Sequence, residues 1–229
     1  MGEGRGIRAA LAGALLLAAP AALAGPSPDL GTTLGSCATA FTATDEVAAR
    51  IGGSGWAPLG AERAEAAARA VALFELLRNL AYVPGPVRAP ADVWQRRWAL
   101  ALADGRALAR RRAGAPAAEG AMIWQDPTGG SLLLTRTLPG RPALLQCTLI
   151  ADAPMAARLR AFLPPDLPAA PRGAPAEAIV LRATDPGDGA IRRGRVFLID
   201  PDALGALTGA RLAAVMIFDT ELLFQPAKG

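Results

Sequence analysis

Histidine is absent from this chain, and its only lysine, Lys228, stands next to the last residue. The first absence removes the usual general base, the Ser-His and Cys-His nucleophile pairs, and the commonest zinc and copper ligand. The second leaves no well-placed amine for a Ser-Lys dyad or a Schiff base. No glycine-rich phosphate loop follows a strand and opens a helix, so nucleotide binding has no support, and no cofactor is implied. Beyond residue 24 no apolar run is both long enough and free enough of charge to form a transmembrane helix. Cysteine occurs only twice, as Cys37 and Cys147, far from the Cys-x-x-Cys spacing of a thiol–disulfide oxidoreductase.

What the chain does have begins at its N-terminus. Arg5 and Arg8 precede an apolar run from Ala9 to Leu23, interrupted only by Gly13 and Pro20, and Ala22-Leu23-Ala24 reads as a cleavage site. Residues 1–24 are therefore expected to be a secretory signal peptide, which places the protein in the periplasm or outside the cell. In an oxidising compartment the two cysteines are expected to form one disulfide. Leu34-Gly35-Ser36-Cys37 resembles a lipoprotein attachment site, but the polar, turn-rich stretch from Gly25 to Thr33 separates it from the apolar run.

Removing 24 residues from the 229 leaves 205, enough for one sizeable core. Without Arg5, Arg8 and Glu3 the balance is 22 basic against 19 acidic residues, a surplus of three. The pI near 10.0 comes from arginine in a chain with no histidine and one tyrosine to buffer it, so nucleic-acid binding does not follow. The alanine-heavy, arginine-for-lysine composition resembles that of proteins from GC-rich bacteria.

Local patterning predicts an α+β fold. Residues 25–36 read as a flexible leader, and 37–229 as a single domain. Thr44 is placed to cap a helix from Asp45 to Ile51, stopped by Gly52-Gly53. From Gly60 to Tyr82 the apolar positions Ala67, Ala70, Val71, Phe74, Leu77 and Leu80 recur at helical period until Pro84-Gly85-Pro86. A second helix from about Pro90 carries Val93, Trp94, Trp98 and Leu102 on one side. Gly105 weakens its middle, and Asp104-Gly105 offers a hairpin turn as the alternative. Trp94 and Trp98 are read as core, with a membrane-interface role as the alternative.

After Gly120 the texture turns to strand. Ala121 to Gln125, Ser131 to Thr137 and Ala143 to Ala151 form a meander punctuated by Asp126–Gly130 and Leu138-Pro139-Gly140, with Cys147 on the core face. A short helix capped by Asp152, strands at Ala178 to Arg182 and Ile191 to Ile199, a helix capped by Asp200, and a central strand near Leu212 to Phe224 complete the chain. The expectation is N-terminal helices packed on a mostly antiparallel sheet of about five to six strands.

Few residues invite chemistry. Gly53-Ser54-Gly55 does not meet the Gly-x-Ser-x-Gly pattern and reads as a loop. Asp185-Pro186-Gly187-Asp188-Gly189 lacks the ligand spacing of an EF-hand and reads as a turn. Asp152, Asp200, Asp202, Asp219 and Glu221 are the candidates for a paired-carboxylate site. Their plain roles are capping for Asp152 and Asp200 and a solvated strand face for Asp219 and Glu221. Two arginine clusters, Arg110-Arg111-Arg112 and Arg192, Arg193 and Arg195, are candidates for a patch that meets an anionic partner. The leading expectation is an exported, non-enzymatic domain that binds a protein or an anionic envelope component. The alternative is a carboxylate-dependent hydrolase or lyase acting on envelope glycan.

Overall fold

The computed structural model describes residues 27–37, 44–115, 121–138, 144–184 and 191–223. The expected signal peptide and the Asp185–Gly189 turn lie outside these residues, as does the side chain of Arg192.

In chain order the elements are α1 (Leu30–Cys37), α2 (Thr44–Gly53), β1 (Ala57–Pro58), α3 (Ala64–Leu80, entered through a 3-10 turn at Ala61–Arg63) and β2 (Gly85–Val87). Then come α4 (Ala91–Arg112), β3 (Ala121–Gln125), β4 (Leu132–Leu138), β5 (Leu144–Ala151) and α5 (Ala153–Leu159, continued by a 3-10 turn at Arg160–Phe162). β6 (Ala176–Thr184), β7 (Ile191–Ile199), α6 (Pro201–Thr208) and β8 (Met216–Leu223) complete the set. The strands form one eight-stranded sheet in the order β1-β3-β4-β5-β8-β7-β6-β2, and every pairing is antiparallel.

The α+β class stands, but the sheet has eight strands where about five to six are expected. The additional strands are β1 and β2, of two and three residues, each containing a proline. Neither has a period of its own to read. They exist because Ala57 and Pro58 pair with Gln125 and Trp124, and Gly85–Val87 with Ala178–Ala176.

Helices cover both faces of the sheet. On one face α3, α4 and α6 bury Phe74, Leu77, Trp94, Trp98 and Leu204 against Ile150, Phe197 and Ile217. Trp94 and Trp98 are thus core residues. The helix reading of Gly105 also holds, for a packing reason: a Cβ there would lie 2.4 Å from the Ala68 carbonyl oxygen, so glycine lets α4 cross α3 closely. On the other face α1, α2 and α5 pack Leu30, Val47, Ile51, Met155 and Leu159 against Trp124, Leu133, Leu149, Val196 and Leu198. Alternation along each strand sends successive side chains to the two cores, and the paired cores explain why β8 reads as a continuous apolar run at its start.

The expected leader is corrected from Leu30 onward: it is helix, with Leu30, Thr33, Ser36 and Cys37 buried. Asp29 starts it, its Oδ1 accepting the Gly31 N–H at 2.9 Å and the Thr32 N–H at 3.3 Å. Cys37 is joined to Cys147 on β5, with their Cα atoms 5.9 Å apart, so α1 is tied covalently to the sheet. Opposite the α3 layer, Glu177 of β6 is 1 % exposed and holds the proline-rich segment before it. It accepts the Arg172 backbone N–H at 3.0 Å and the Arg172 guanidinium.

Candidate functional site

The sheet face under α3 changes character within four residues along its central strands. Leu132, Ile150, Ile217, Phe197 and Ala178 stand side by side as an apolar row. One step of two residues along each strand, the row becomes Leu134, Thr148, Asp219, Arg195 and Val180. One step further, Arg136 stands opposite Gln146, and Arg193 follows Arg195 on the same face. α3 ends at Leu80, and beyond it Val180, Arg193 and Arg195 of these rows line a surface depression.

Asp219 stands between Thr148 and Arg195 in the second of these rows. Its Oδ1 accepts the Thr148 hydroxyl at 2.8 Å and the Gln146 side-chain amide at 2.9 Å. The side chain is largely buried, and burial pushes its carboxyl above the usual aspartate range. The hydrogen bonds from Thr148 and Gln146, then the charges of Arg195 and Arg78, pull against this without cancelling it. The expectation of a solvated Asp219 is corrected: Gln146 and Thr148 meet it from the neighbouring strand, with the end of α3 nearby. Asp219 closes no ion pair with Arg195 or Arg78 among the described residues.

The arginines around it are held in different ways. Glu75 of α3 binds Arg136 at 2.8 Å and Arg78 at 2.9 Å, which spends its charge on two cations. Arg78 lies 5.7 Å from the Phe74 ring centroid, and Arg195 5.7 Å from that of Phe197, so aromatic faces orient both guanidinium groups. Arg193 is exposed and Arg195 half-buried. Both line a concavity of about 360 Å³ with Val180, Ala178 and the turn Ala81–Pro84. In that turn Tyr82 is 81 % and Val83 73 % exposed.

Of the expected arginine patch, Arg193 and Arg195 come together here, but Arg110, Arg111 and Arg112 do not join them. Arg110 donates to the Arg106 carbonyl at 3.2 Å on one side of α4, while Arg111 lines a groove on another and Arg112 is half-buried. Three successive helical positions turn through most of a circle, so they cannot share one face. Of the other carboxylate candidates, Asp152 and Asp200 have structural roles, while Glu221 pairs with Gln146 and Arg193 in register and its side chain lies outside the described residues. Asp152 caps α5, accepting the Met155 N–H at 3.1 Å, the Ser131 hydroxyl at 2.8 Å and the Gly130 N–H at 2.7 Å. Burial works against its ionised form, yet these bonds together hold it below the usual range. Asp200 caps α6 through the Asp202 and Ala203 N–H groups, and Asp202 lies exposed in the first turn. Ser54 is buried and donates to the Ile51 carbonyl at 2.8 Å, as a loop residue rather than a nucleophile.

Nothing in the sequence pattern marks Gln146, Thr148, Glu75, Arg78 and Arg136 directly as site residues. The one indirect signal is alternation: Gln146 and Thr148 are polar at the positions where β5 would otherwise continue the face of Ile150. Chemically the site offers two guanidinium groups at a concave surface, an aromatic shoulder, and one carboxyl already supplied with donors. Among the described residues no three Cys, Asp or Glu side chains gather as metal ligands. No family model, no curated protein and no solved structure matches this chain.

Proposed function

We propose that the protein is an exported, non-enzymatic binding domain, periplasmic or secreted, that grips an anionic partner through Arg193 and Arg195. The signal-like N-terminus and the Cys37–Cys147 disulfide support the compartment, and no helix among the described residues is long and apolar enough to cross a membrane. The observation that carries the binding role is the state of Asp219. This carboxyl, opposite Arg195 in register, takes its hydrogen bonds from Gln146 and Thr148 and closes no ion pair with Arg195 among the described residues, which supports a role for that guanidinium in meeting an incoming anion. Arginine suits that task because its planar fork matches carboxylate, sulfate or phosphate oxygens.

Retention on a sulfated polysaccharide matrix tests the reading. The protein should bind at low ionic strength and elute with salt, and the Arg193→Gln/Arg195→Gln pair should elute at distinctly lower salt than an Arg110→Gln/Arg111→Gln control. No retention at low salt, or equal loss in the two variants, overturns it. The glycan hydrolase or lyase reading rests on the Asp219 carboxyl opposite Arg195, which burial pushes up and so suits to a general acid. It requires envelope-glycan turnover that Asp219→Asn abolishes.

A further inference from the structure

The site described above lies beside an edge of the sheet that is open among the described residues. β6 has nine residues in unbroken register with β7, from Ala176 opposite Ile199 to Thr184 opposite Ile191. On its outer side β2 covers only Ala176, Glu177 and Ala178. Among the described residues no strand pairs with Ile179–Thr184, a stretch of about 20 Å at the rise of an extended chain. Edges are usually blunted by proline, a bulge, short length or a covering segment. β6 contains no proline and no bulge. The opposite edge is different: β3 is five residues long and is capped by Ala57-Pro58, with Leu59 donating its N–H to the Ile123 carbonyl at 3.1 Å.

This edge and the proposed anion site adjoin each other. Val180 lines the concavity with Arg193 and Arg195, and the exposed Tyr82-Val83 turn stands where β2 leaves the edge. Ile179 and Leu181, half-buried, face the other side of the sheet. A strand laid against β6 would send alternate side chains to these two faces. Those on the first face would lie two strand spacings, about 10 Å, from the β7 backbone, a gap that one arginine and one carboxylate side chain span between them.

Resting on the proposed anion-binding role, we infer that the partner is a polypeptide whose extended segment, alternating acidic and apolar residues, adds as a strand to β6 at Ile179–Thr184. Main-chain hydrogen bonds supply affinity, and Arg193 and Arg195 select acidic side chains on one face. A second copy of this chain fits less well, because pairing two β6 edges brings a second Arg193–Arg195 pair towards the first.

Two probes test this: a peptide of alternating Glu and Val, and the same peptide N-methylated at alternate residues on its β6-facing edge. Amide exchange at Ile179–Thr184 should be fast in the free protein and slowed at least tenfold by the first peptide. The methylated peptide, which cannot complete the ladder, should bind about a hundredfold more weakly. The Arg193→Gln/Arg195→Gln pair should weaken the first peptide about tenfold or more, with an unchanged melting temperature confirming its fold. Protection of these amides in the free protein means the edge is already covered, and overturns the inference. Equal binding of the two peptides, still lost in the arginine pair, overturns strand addition while the anion-binding role stands. Binding to phosphatidylglycerol vesicles without binding to the peptide also overturns strand addition and assigns the arginines to lipid. Binding to neither probe at low salt overturns both.

Discussion

Asp219 and Thr148 face each other across the central strand pair, and the Thr148 hydroxyl donates to the Asp219 carboxyl at 2.8 Å. Gln146 donates to the same oxygen at 2.9 Å, so two neutral donors converge on a carboxyl that burial keeps from ionising easily. An amide in its place would accept both bonds without the cost of a buried charge.

Asp219→Asn is therefore expected to leave stability unchanged or to raise it at neutral pH, whereas Asp219→Leu, which orphans both donors, should cost about 1–3 kcal/mol. The pH dependence follows from the direction of the shift. The folded form holds the Asp219 proton more tightly than the unfolded chain does, so this residue's contribution is greatest below the ordinary aspartate range and declines as pH rises through the elevated folded value. Urea denaturation of wild type and Asp219→Asn from acid to neutral pH should show a gap that grows in the variant's favour as pH rises. A constant gap would contradict the assignment.

Glu177 predicts the opposite slope. Hydrogen bonds from the Arg172 side chain, opposed by burial, hold its carboxyl below the usual glutamate range. Its contribution is present above the ordinary value and is lost as pH falls through the depressed folded one. Glu177→Gln should cost about 1–3 kcal/mol at neutral pH, and the cost should shrink in acid. Arg172 is 72 % exposed at its side chain, so Arg172→Ala should cost less than a fully buried partner would. Proteolysis within residues 164–175 should speed up in both variants, because the pair anchors that segment to β6.

Elements with a period or punctuation of their own were legible from sequence. The α3 helix announced itself through Ala67, Val71, Phe74 and Leu77, and the β3–β5 meander through the turn residues between its first two strands. α1 was not legible, because its glycine, threonine and serine carry little helix propensity and it is held by Asp29 and by Cys37. β1 and β2 were not legible because each exists only through its neighbour. The site failed for a third reason. Gln146 and Thr148 reach Asp219 from more than seventy residues away, and only the strand register shows that they meet. With that register unknown, Asp219 and Glu221 looked like one more solvated stripe. Arg193 and Arg195 could be named, being neighbours on a single strand, whereas grouping them with Arg110–Arg112 required a geometry that one helical turn forbids.

The Cys37–Cys147 bond closes a loop of 110 residues. Restricting the unfolded chain to that extent stabilises the native state by about 4–5 kcal/mol in the loop-entropy treatment. Non-reducing mass spectrometry should show the two cysteine-containing peptides linked. Replacing both cysteines by serine should lower stability by about 2–5 kcal/mol, and amide exchange should accelerate first in α1, the element tied down by the bond. Two free thiols in protein folded under oxidising conditions would contradict the linkage.

Gly105 gives the sharpest packing prediction, because helix propensity and tertiary contact oppose each other there. Alanine in the middle of α4 would favour the helix by about 1 kcal/mol over glycine. Its Cβ, however, would stand 2.4 Å from the Ala68 carbonyl oxygen and 3.3 Å from the Ala72 nitrogen, both backbone atoms of α3. Backbone cannot swing aside as a flexible side chain can, so α4 would have to move off α3, loosening Trp98 and Ala101 where they pack. Overpacking of this kind typically costs about 1–3 kcal/mol, and the net effect of Gly105→Ala should be destabilising despite the better helix former. Thermal melting should therefore show a lower midpoint for Gly105→Ala, while Gly53→Ala, where nothing lies within 4 Å of the added carbon, should melt at or near the wild-type temperature. If Gly105→Ala melted higher than wild type, propensity would outweigh the crossing, and the close approach of the two helices would not be what requires glycine at this position.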